Sequence, residues 1–380
     1  MKKVFIDKGI KGLLSDGSKS RLIWLKSKNL NSYAIIIRRG LFQDIPKILN
    51  IGNRYLIITD SNVKQLYADD LKRLFDKEGK ECSVLFFPAG EQSKNIETFI
   101  NVHEEIGLSL DRESCIIALG GGVTGDLAGF VASTYMRGIS FIQIPTSLLA
   151  MVDSSVGGKL GINTSKRKNS IGVFNNPRVV YIDPLMISTL PKSYLKDGLA
   201  EVMKHAIIGS RRYFNFISDH TNLILSLDSK IISRLIYESV KIKVSFVKID
   251  EKESDTRRIL NFGHTIGHTL EEVIGYGKIS HGLAISIGMV AASHVSLSRG
   301  MIDKHTFTSI KNIISLLGLP LSLKNLNLKI DPEQIYEYLK YDKKVVSGKI
   351  SFVLIKGISK PIIKDDITYQ EIMEAINYVS

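Results

Sequence analysis

Cysteine is nearly missing from these 380 residues: only Cys82 and Cys115 occur, 33 positions apart in separate apolar runs. Without C-x-x-C spacing they exclude a disulfide framework or a zinc knuckle, and both are expected as reduced core thiols. Long apolar runs are missing too. None approaches the ~20 residues that span a bilayer, and the opening "MKKVFIDKGIKGLLSDG" has no continuous apolar stretch ending in a small-residue cleavage site. The expectation is a cytoplasmic protein with no membrane partner. There is no RNP-like aromatic motif, no Cys/His finger spacing and no long basic run, so the net charge of +13 needs another explanation than nucleic acid. Residues 1 to 40 hold ten Lys or Arg against Asp7 and Asp16 alone, and the remainder is nearly balanced. A small, multiply anionic substrate fits lysines that sit inside motifs.

What is present points to two domains, because 380 residues with 44% apolar content exceed what one core accommodates. "RLIWL" and "YAIII" form an expected hairpin; "YLIITD", "CSVLFFP", "CIIALG", "ISFIQIP" and "VVYID" then alternate with helical patterns. That alternation predicts a Rossmann-like α/β domain with a mostly parallel, helix-covered sheet. After Pro184 the pattern turns helical over 194–208, 229–250, 261–274, 281–298 and 303–316, with one expected hairpin in "KKVVSGKISFVLIKG" turning at Ser347 and Gly348. The expected division is a basic extension over residues 1–20, an α/β domain over 21–187 and a mainly α-helical domain over 188–380.

Chemistry concentrates in a few stretches. In "CIIALGGGVTGDLAGF" a buried strand runs into Gly120, Gly121 and Gly122 before a helix, as in a pyrophosphate-binding turn, although a plain tight turn would use glycine as well. This is not G-x-G-x-x-G, and the acid after a strand, Asp60, precedes the glycines, so the sheet order must differ from the usual dinucleotide fold. "SLLAMVDSSVGGKLGINTSKRKNSIGVF" sets Asp153, Lys159, Lys168 and Asn169 among small residues, where a solvated loop would explain lysines and serines equally well. "GLAEVMKHAII" embeds Glu201 and Lys204 in an apolar helix, where charges persist only paired or ligating. "RRILNFGHTIGHTLEE" stacks His264 and His268 on one helical face, either half of a metal site or a pair satisfied at a helix interface, and "ISHGLAISIGM" offers His281 at the head of another apolar helix.

Together "GGGVTGD", "PTSLLAMVDSSVGGKLGIN", "GLAEVMKHAII", "LNFGHTIGH" and "HGLAISIGM", in this order and spacing, strongly resemble the 3-dehydroquinate synthase family of the shikimate pathway, from about Arg21 to Lys356. The resemblance implies that family's fold and NAD+ and a divalent metal, Zn2+ or alternatively Co2+, as cofactors. It implies Glu201, His264 and His281 as metal ligands, with His268 on the substrate side. Asp60, Asn62, Glu91, Lys94, Gly121, Gly122, Val123, Asp126, Thr146, Ser147, Lys168 and Thr189 would hold the nucleotide. For the substrate, 3-deoxy-D-arabino-heptulosonate 7-phosphate, Lys159, Asn169, His268 and Lys349 would face the phosphate, with Arg137 reaching in from a second subunit of a homodimer. Lys243 and Arg257 would take the carboxylate; Asp153, Lys204 and Asn261 would take the hydroxyls. Asp153, Lys159, Lys204, His268 and Asn261 carry the implied catalytic roles.

One carboxylate and two imidazoles leave coordination positions open for substrate hydroxyls. The implied reaction oxidises a hydroxyl transiently on NAD+, eliminates phosphate, returns the hydride, opens the ring and closes a carbocycle, so NAD is recycled. The competing readings are a related sugar-phosphate cyclase making an inosose, a valiolone or an aminated dehydroquinate, a metal-dependent polyol dehydrogenase, and a pseudoenzyme scaffold. Two departures, "GVFNNP" after Asn169 and Met186 where an aromatic is common, bear on cofactor packing alone.

Overall fold

The architecture is that of a computed structural model in which residues 20–165, 167–275, 277–341, 345–346 and 349–380 are described, the side chains of 341, 345, 346 and 349 excepted. The expected basic extension, apart from Ser20, and the turn at Ser347 and Gly348 therefore lie outside the described residues. The chain forms two compact units, Met1–Leu190 and Pro191–Ser380.

In the first unit the alternating pattern becomes strands β1 (Arg21–Leu25), β2 (Tyr33–Ile37), β3 (Tyr55–Asp60), β4 (Cys82–Phe87), β5 (Cys115–Gly120), β6 (Ser140–Pro145), β7 (Lys159–Thr164), β8 (Arg167–Phe174) and β9 (Val179–Ile182). Seven of them make one sheet in the order β1-β2-β9-β6-β5-β3-β4, parallel except for the β1–β2 hairpin. The inner parallel strands are covered on both faces, so they are largely apolar instead of alternating, whereas the edge strand β4 leaves Ser83 and Phe86 exposed. β5 and β9 are buried at every residue. Both cysteines are free and buried at strand starts, and burial pushes each thiol up to about 12.

From β3 onward the parallel strands run 2-1-3-4-5 in chain order: the chain moves outward from β3 to β4, then returns to lay β5 on the other side of β3. The reversal opens a crevice between the carboxyl ends of β3 and β5, where doubly wound sheets bind ligands. The order indeed differs from the usual dinucleotide one. Lys159–Thr164 and Arg167–Phe174 pair as a separate antiparallel β7–β8 ribbon, where a solvated loop was the alternative. Its signal was weak because Gly161 and Gly172 face one another, each leaving no room for a Cβ beside the opposite backbone. Leu160 of this hairpin presses on Gly129 of the helix Gly122–Thr134, where a Cβ would lie 2.5 Å from it. That contact requires glycine at 129, as Gln143 and Ser154 crowd Gly125 and Gly122 of the same helix.

The second unit is mainly helical, with helices at Lys192–Gly209, Ser229–Ile249, His264–Ile274, His281–Ser298 and Lys304–Leu316, close to the expected spans, and further ones at Pro332–Tyr341 and Tyr369–Val379. His281–Ser298 packs against four of these helices, so it is apolar all round. By length and composition it could cross a bilayer, yet most of it is buried inside this unit. The expected single hairpin near the end is two ribbons. Val345–Val346 pairs with Lys349–Ile350, whereas Phe352–Ile355 pairs with Pro361–Lys364, because the fully buried "FVLI" needs a partner of its own.

The carboxy-terminal helix is tied to the core helix by Arg299. Its guanidinium donates to both oxygens of Glu371, at 2.5 and 2.8 Å, and to Asp366. Those Arg299 hydrogen bonds outweigh burial and hold the Glu371 carboxyl at about 2. A depressed carboxylate stabilises fully above its ordinary range and loses that contribution as pH falls through the folded value. Arg299→Ala should therefore cost about 2 kcal/mol near neutrality, read from urea midpoints. The gap from wild type should be complete above pH 4.5 and close toward pH 2; a gap independent of pH would contradict the pairing.

Candidate functional site

In the first unit, the ends of β3 and β5 place Asp60 and residues 120–122 on either side of the crevice. Asp60 Oδ1 accepts from the backbone N–H of Asn62 and Val63, at 3.0 and 3.1 Å, and Oδ2 accepts from Thr124 Oγ1 at 3.3 Å. Gly121 precedes the helix Gly122–Thr134 in extended conformation with no side-chain cap, so that helix presents its first N–H groups, Val123 among them. A Cβ on Gly122 would come within 3.2 Å of Ser154 Oγ, so the backbone itself forms the wall. Thr146 N donates to Gly120 O, joining the β5 and β6 ends, and Ser147 Oγ accepts from Ala150 N.

Lys94 is buried and donates to Asp126 Oδ2 at 2.5 Å and to Asn169 Oδ1. Asn163, which the sequence reading missed, organises the same network: its amide donates to Glu91 Oε1 at 2.7 Å and its Oδ1 accepts from Asn169 N at 2.8 Å. Asn169, expected beside the substrate phosphate, is thus held among residues expected to bind the nucleotide. Tyr67, also missed, meets Thr189 Oγ1 at 2.6 Å and donates to the backbone carbonyl of Met186. Asp153 and Lys168 are half-buried, and Lys159 is exposed at the start of β7. Arg137 is exposed and, with Met136, adopts left-handed backbone.

In the second unit, Glu201 is 1% exposed in mid-helix. Its Oε2 pairs with the Lys204 ammonium, Nζ 2.5 Å away, and its Oε1 lies 3.5 Å from His264 Nε2 and 3.2 Å from His281 Nε2. The three donor atoms all lie within 4.8 Å of one another. Bond lengths of 2.0–2.1 Å put neighbouring donors of a tetrahedral zinc about 3.3 Å apart, so the set fits a divalent metal. A second grouping, His268, Glu271 and His281, shares His281. Burial and then the Lys204 charge push His264 well below the ordinary histidine range. On His281 burial opposes charge, but hydrogen bonds to Glu201 and Glu271 outweigh it and hold the ring up at about 10.

Glycines let these helices meet. Gly263 caps His264–Ile274 with φ 81°, and a Cβ on Gly288 would lie 2.0 Å from the Gly263 carbonyl. Asp197, another residue missed in the sequence, accepts from Gly282 N at 3.0 Å and from Ser280 Oγ, fixing the turn that carries His281.

Lys243 is buried on Ser229–Ile249, which packs against both Lys192–Gly209 and the turn Thr256–Asn261. That turn carries Arg257, whose Nη1 donates to Glu251 O at 2.5 Å, and Asn261, whose amide donates to Glu253 at 2.7 Å. His268 is half-buried, its ring centroid 5.0 Å from His264's and 5.8 Å from His281's. Lys349 lies outside the described side chains. The second unit thus brings together Glu201, Lys204, His264, His268 and His281, and the first brings together Lys94, Asp126, Glu91 and Asn169.

Gly288→Ala should lower stability by about 2 kcal/mol through overpacking at this helix crossing, measured as a shift of the urea midpoint at constant slope. An unchanged midpoint would mean the helices can part there freely.

Family models described as 3-dehydroquinate synthase N-terminal and 3-dehydroquinate synthase C-terminal match residues 84–197 and 198–345. A 3-dehydroquinate synthase from Desulforamulus reducens is 41% identical over 350 residues, 91% of this chain and 97% of that protein. Among solved structures, 2-epi-5-epi-valiolone synthase from Streptomyces hygroscopicus subsp. jinggangensis, with NAD+ and Zn2+ bound, superposes with a TM-score of 0.84 at 25% identity, covering 93% of this chain and 98% of that one. A 2-deoxy-scyllo-inosose synthase complexed with carbaglucose-6-phosphate, NAD+ and Co2+ gives 0.83 at 26%, covering 95% and 100%.

Proposed function

The chain belongs to the 3-dehydroquinate synthase family, and on that premise we propose that it converts 3-deoxy-D-arabino-heptulosonate 7-phosphate to 3-dehydroquinate and inorganic phosphate, as a carbon–oxygen lyase. The observation that carries this reading is the donor set of buried Glu201 and His264 with half-buried His281, spaced for one divalent metal, in a chain of this family. Identity of 41% to a 3-dehydroquinate synthase, against 25–26% to the valiolone and inosose synthases, supports this member of the superfamily.

When bound, NAD+ supplies a reversible hydride acceptor and the metal a Lewis acid at the substrate oxygen being oxidised. The chain's own residues do the rest. Glu201, His264 and His281 would hold the metal, with open positions left for substrate hydroxyls. Asp60, Glu91, Lys94, Asp126 and the backbone at residues 121–123 would hold the nucleotide. An acid at Asp60 favours a free ribose 2′-hydroxyl over a 2′-phosphate, so NAD+ is expected over NADP+. Arg257, its guanidinium steadied by the Glu251 carbonyl, would grip the substrate carboxylate with Lys243. Asp153, Lys204 and Asn261 would orient the hydroxyls. Lys159, His268 and Lys349 would neutralise the departing phosphate, joined by Asn169 once it releases Lys94 and by Arg137 of a second copy. A cytoplasmic homodimer completes the proposal.

With NAD+ held there as a reversible hydride acceptor, oxidation at C5 would acidify the C6 proton and favour loss of phosphate, and turnover would not consume NAD. With purified chain, Zn2+, the heptulosonate phosphate and NAD+ far below substrate, phosphate and dehydroquinate should form in equal amounts with no NADH accumulating. Stoichiometric NADH would instead support a polyol dehydrogenase, and phosphate without dehydroquinate would overturn the cyclisation.

A further inference from the structure

Glu271 has no role in the reaction described so far, yet it is 4% exposed, while Glu272 beside it is exposed. A carboxylate is buried only against a compensating donor or charge. Here Glu271 Oε2 lies 3.1 Å from His281 Nδ1. The opposite nitrogen of the same ring, Nε2, faces Glu201 at 3.2 Å. His264 repeats the arrangement, with Nε2 toward Glu201 and Nδ1 3.3 Å from the Phe262 carbonyl. Both rings thus direct Nε2 into one centre and Nδ1 at an acceptor. A neutral imidazole that ligates through Nε2 carries its proton on Nδ1, and the acceptor of that proton fixes both tautomer and ring plane.

We infer that Glu271 is a positioning residue for the metal centre: it accepts the Nδ1 proton of His281, locks the ring with Nε2 forward, and raises its basicity as a ligand. His264 and Glu271 lie seven apart, two turns along one face of His264–Ile274. One helix therefore provides a ligand itself and orients the ligand on its neighbour. The grouping of His268, Glu271 and His281 could alternatively make Glu271 a ligand, but His281 would then have to turn Nδ1 to the metal, leaving Nε2 and Glu201 without their shared target. The inference rests on the metal reading proposed above, and its test keeps the two apart.

The full chain, stripped of metal, is titrated with Zn2+ against a chromophoric chelator, alongside Glu271→Gln, Glu271→Ala, His264→Ala and His268→Ala, each checked for folding by thermal unfolding. Glu271→Ala should weaken zinc binding up to about 100-fold while keeping one ion per chain. Glu271→Gln, whose amide carbonyl still accepts from Nδ1, should lose only about tenfold and should shift the visible spectrum of the Co2+ form without changing its coordination number. The Gln variant alone decides if the Ala variant does not fold. His264→Ala should abolish stoichiometric binding, whereas His268→Ala should leave it intact. Wild-type affinity and spectrum in a folded Glu271 variant, with His264→Ala metal-free, overturns the positioning role and spares the metal reading. Zinc retained by His264→Ala overturns the metal reading. Complete loss in Glu271→Gln and His268→Ala alike makes Glu271 a ligand and overturns the inference.

Discussion

A carboxylate with almost no exposure in the middle of an apolar helix sets the terms for the second unit. Left alone in such surroundings, the ionised Glu201 would be costly by many kcal/mol. Lys204, one turn on, answers one oxygen, and two imidazoles from two other helices converge on the other. An arrangement built from three separate helices demands that backbones approach closely. The missing side chains at Gly263 and Gly288 allow it, and Asp197 fixes the start of the helix that brings His281 in. The apolar character of His281–Ser298 follows from the same demand, since a helix that reaches such a centre is packed on every side.

The first unit answers a different constraint. A parallel sheet has to be covered by helices on both faces, and its reversal at β3 and β5 leaves a crevice where strand ends and helix N-termini point together. Asp60 and the glycine turn stand there. The β7–β8 hairpin is packed onto the glycine-turn helix through Leu160 and Gly129, and its Asn163 and Asn169 join the buried Lys94 and Asp126. Movement of that hairpin would therefore alter the polar groups around the nucleotide crevice, which couples the packing of a small ribbon to the cofactor chemistry proposed for the unit.

How much of this was legible depended on whether a residue contradicted its surroundings. Glu201 and Lys204 among Ala, Val, Met and Ile, and His281 heading an apolar helix, stand out because charge in such company needs a reason. The buried strands were legible because continuous β-branched runs bounded by turns have few other uses. Glu271 escaped notice: in "HTLEEVI" it resembles a solvated helix end, and only the fold turns it inward while leaving Glu272 outside. Asn163 escaped for a related reason, since an amide in "LGINTSK" fits a loop as well as a strand. The β7–β8 ribbon, with facing glycines and mostly exposed β8 residues, lacks the alternation by which strands are found. Resemblance to a known family gave those stretches meaning before geometry did, but it did not reveal that Asn169 is held by Lys94.

As proposed, Glu201, His264 and His281 would hold one divalent metal through Oε1 and the two Nε2 atoms. Anomalous-difference maps from zinc-loaded crystals, recorded on either side of the zinc absorption edge, test this most directly. One peak per chain should lie about 2.0–2.2 Å from those three donor atoms, with Glu271 remaining on His281 Nδ1. A peak centred instead among His268, Glu271 and His281 Nδ1, or none with zinc in excess, would contradict the account.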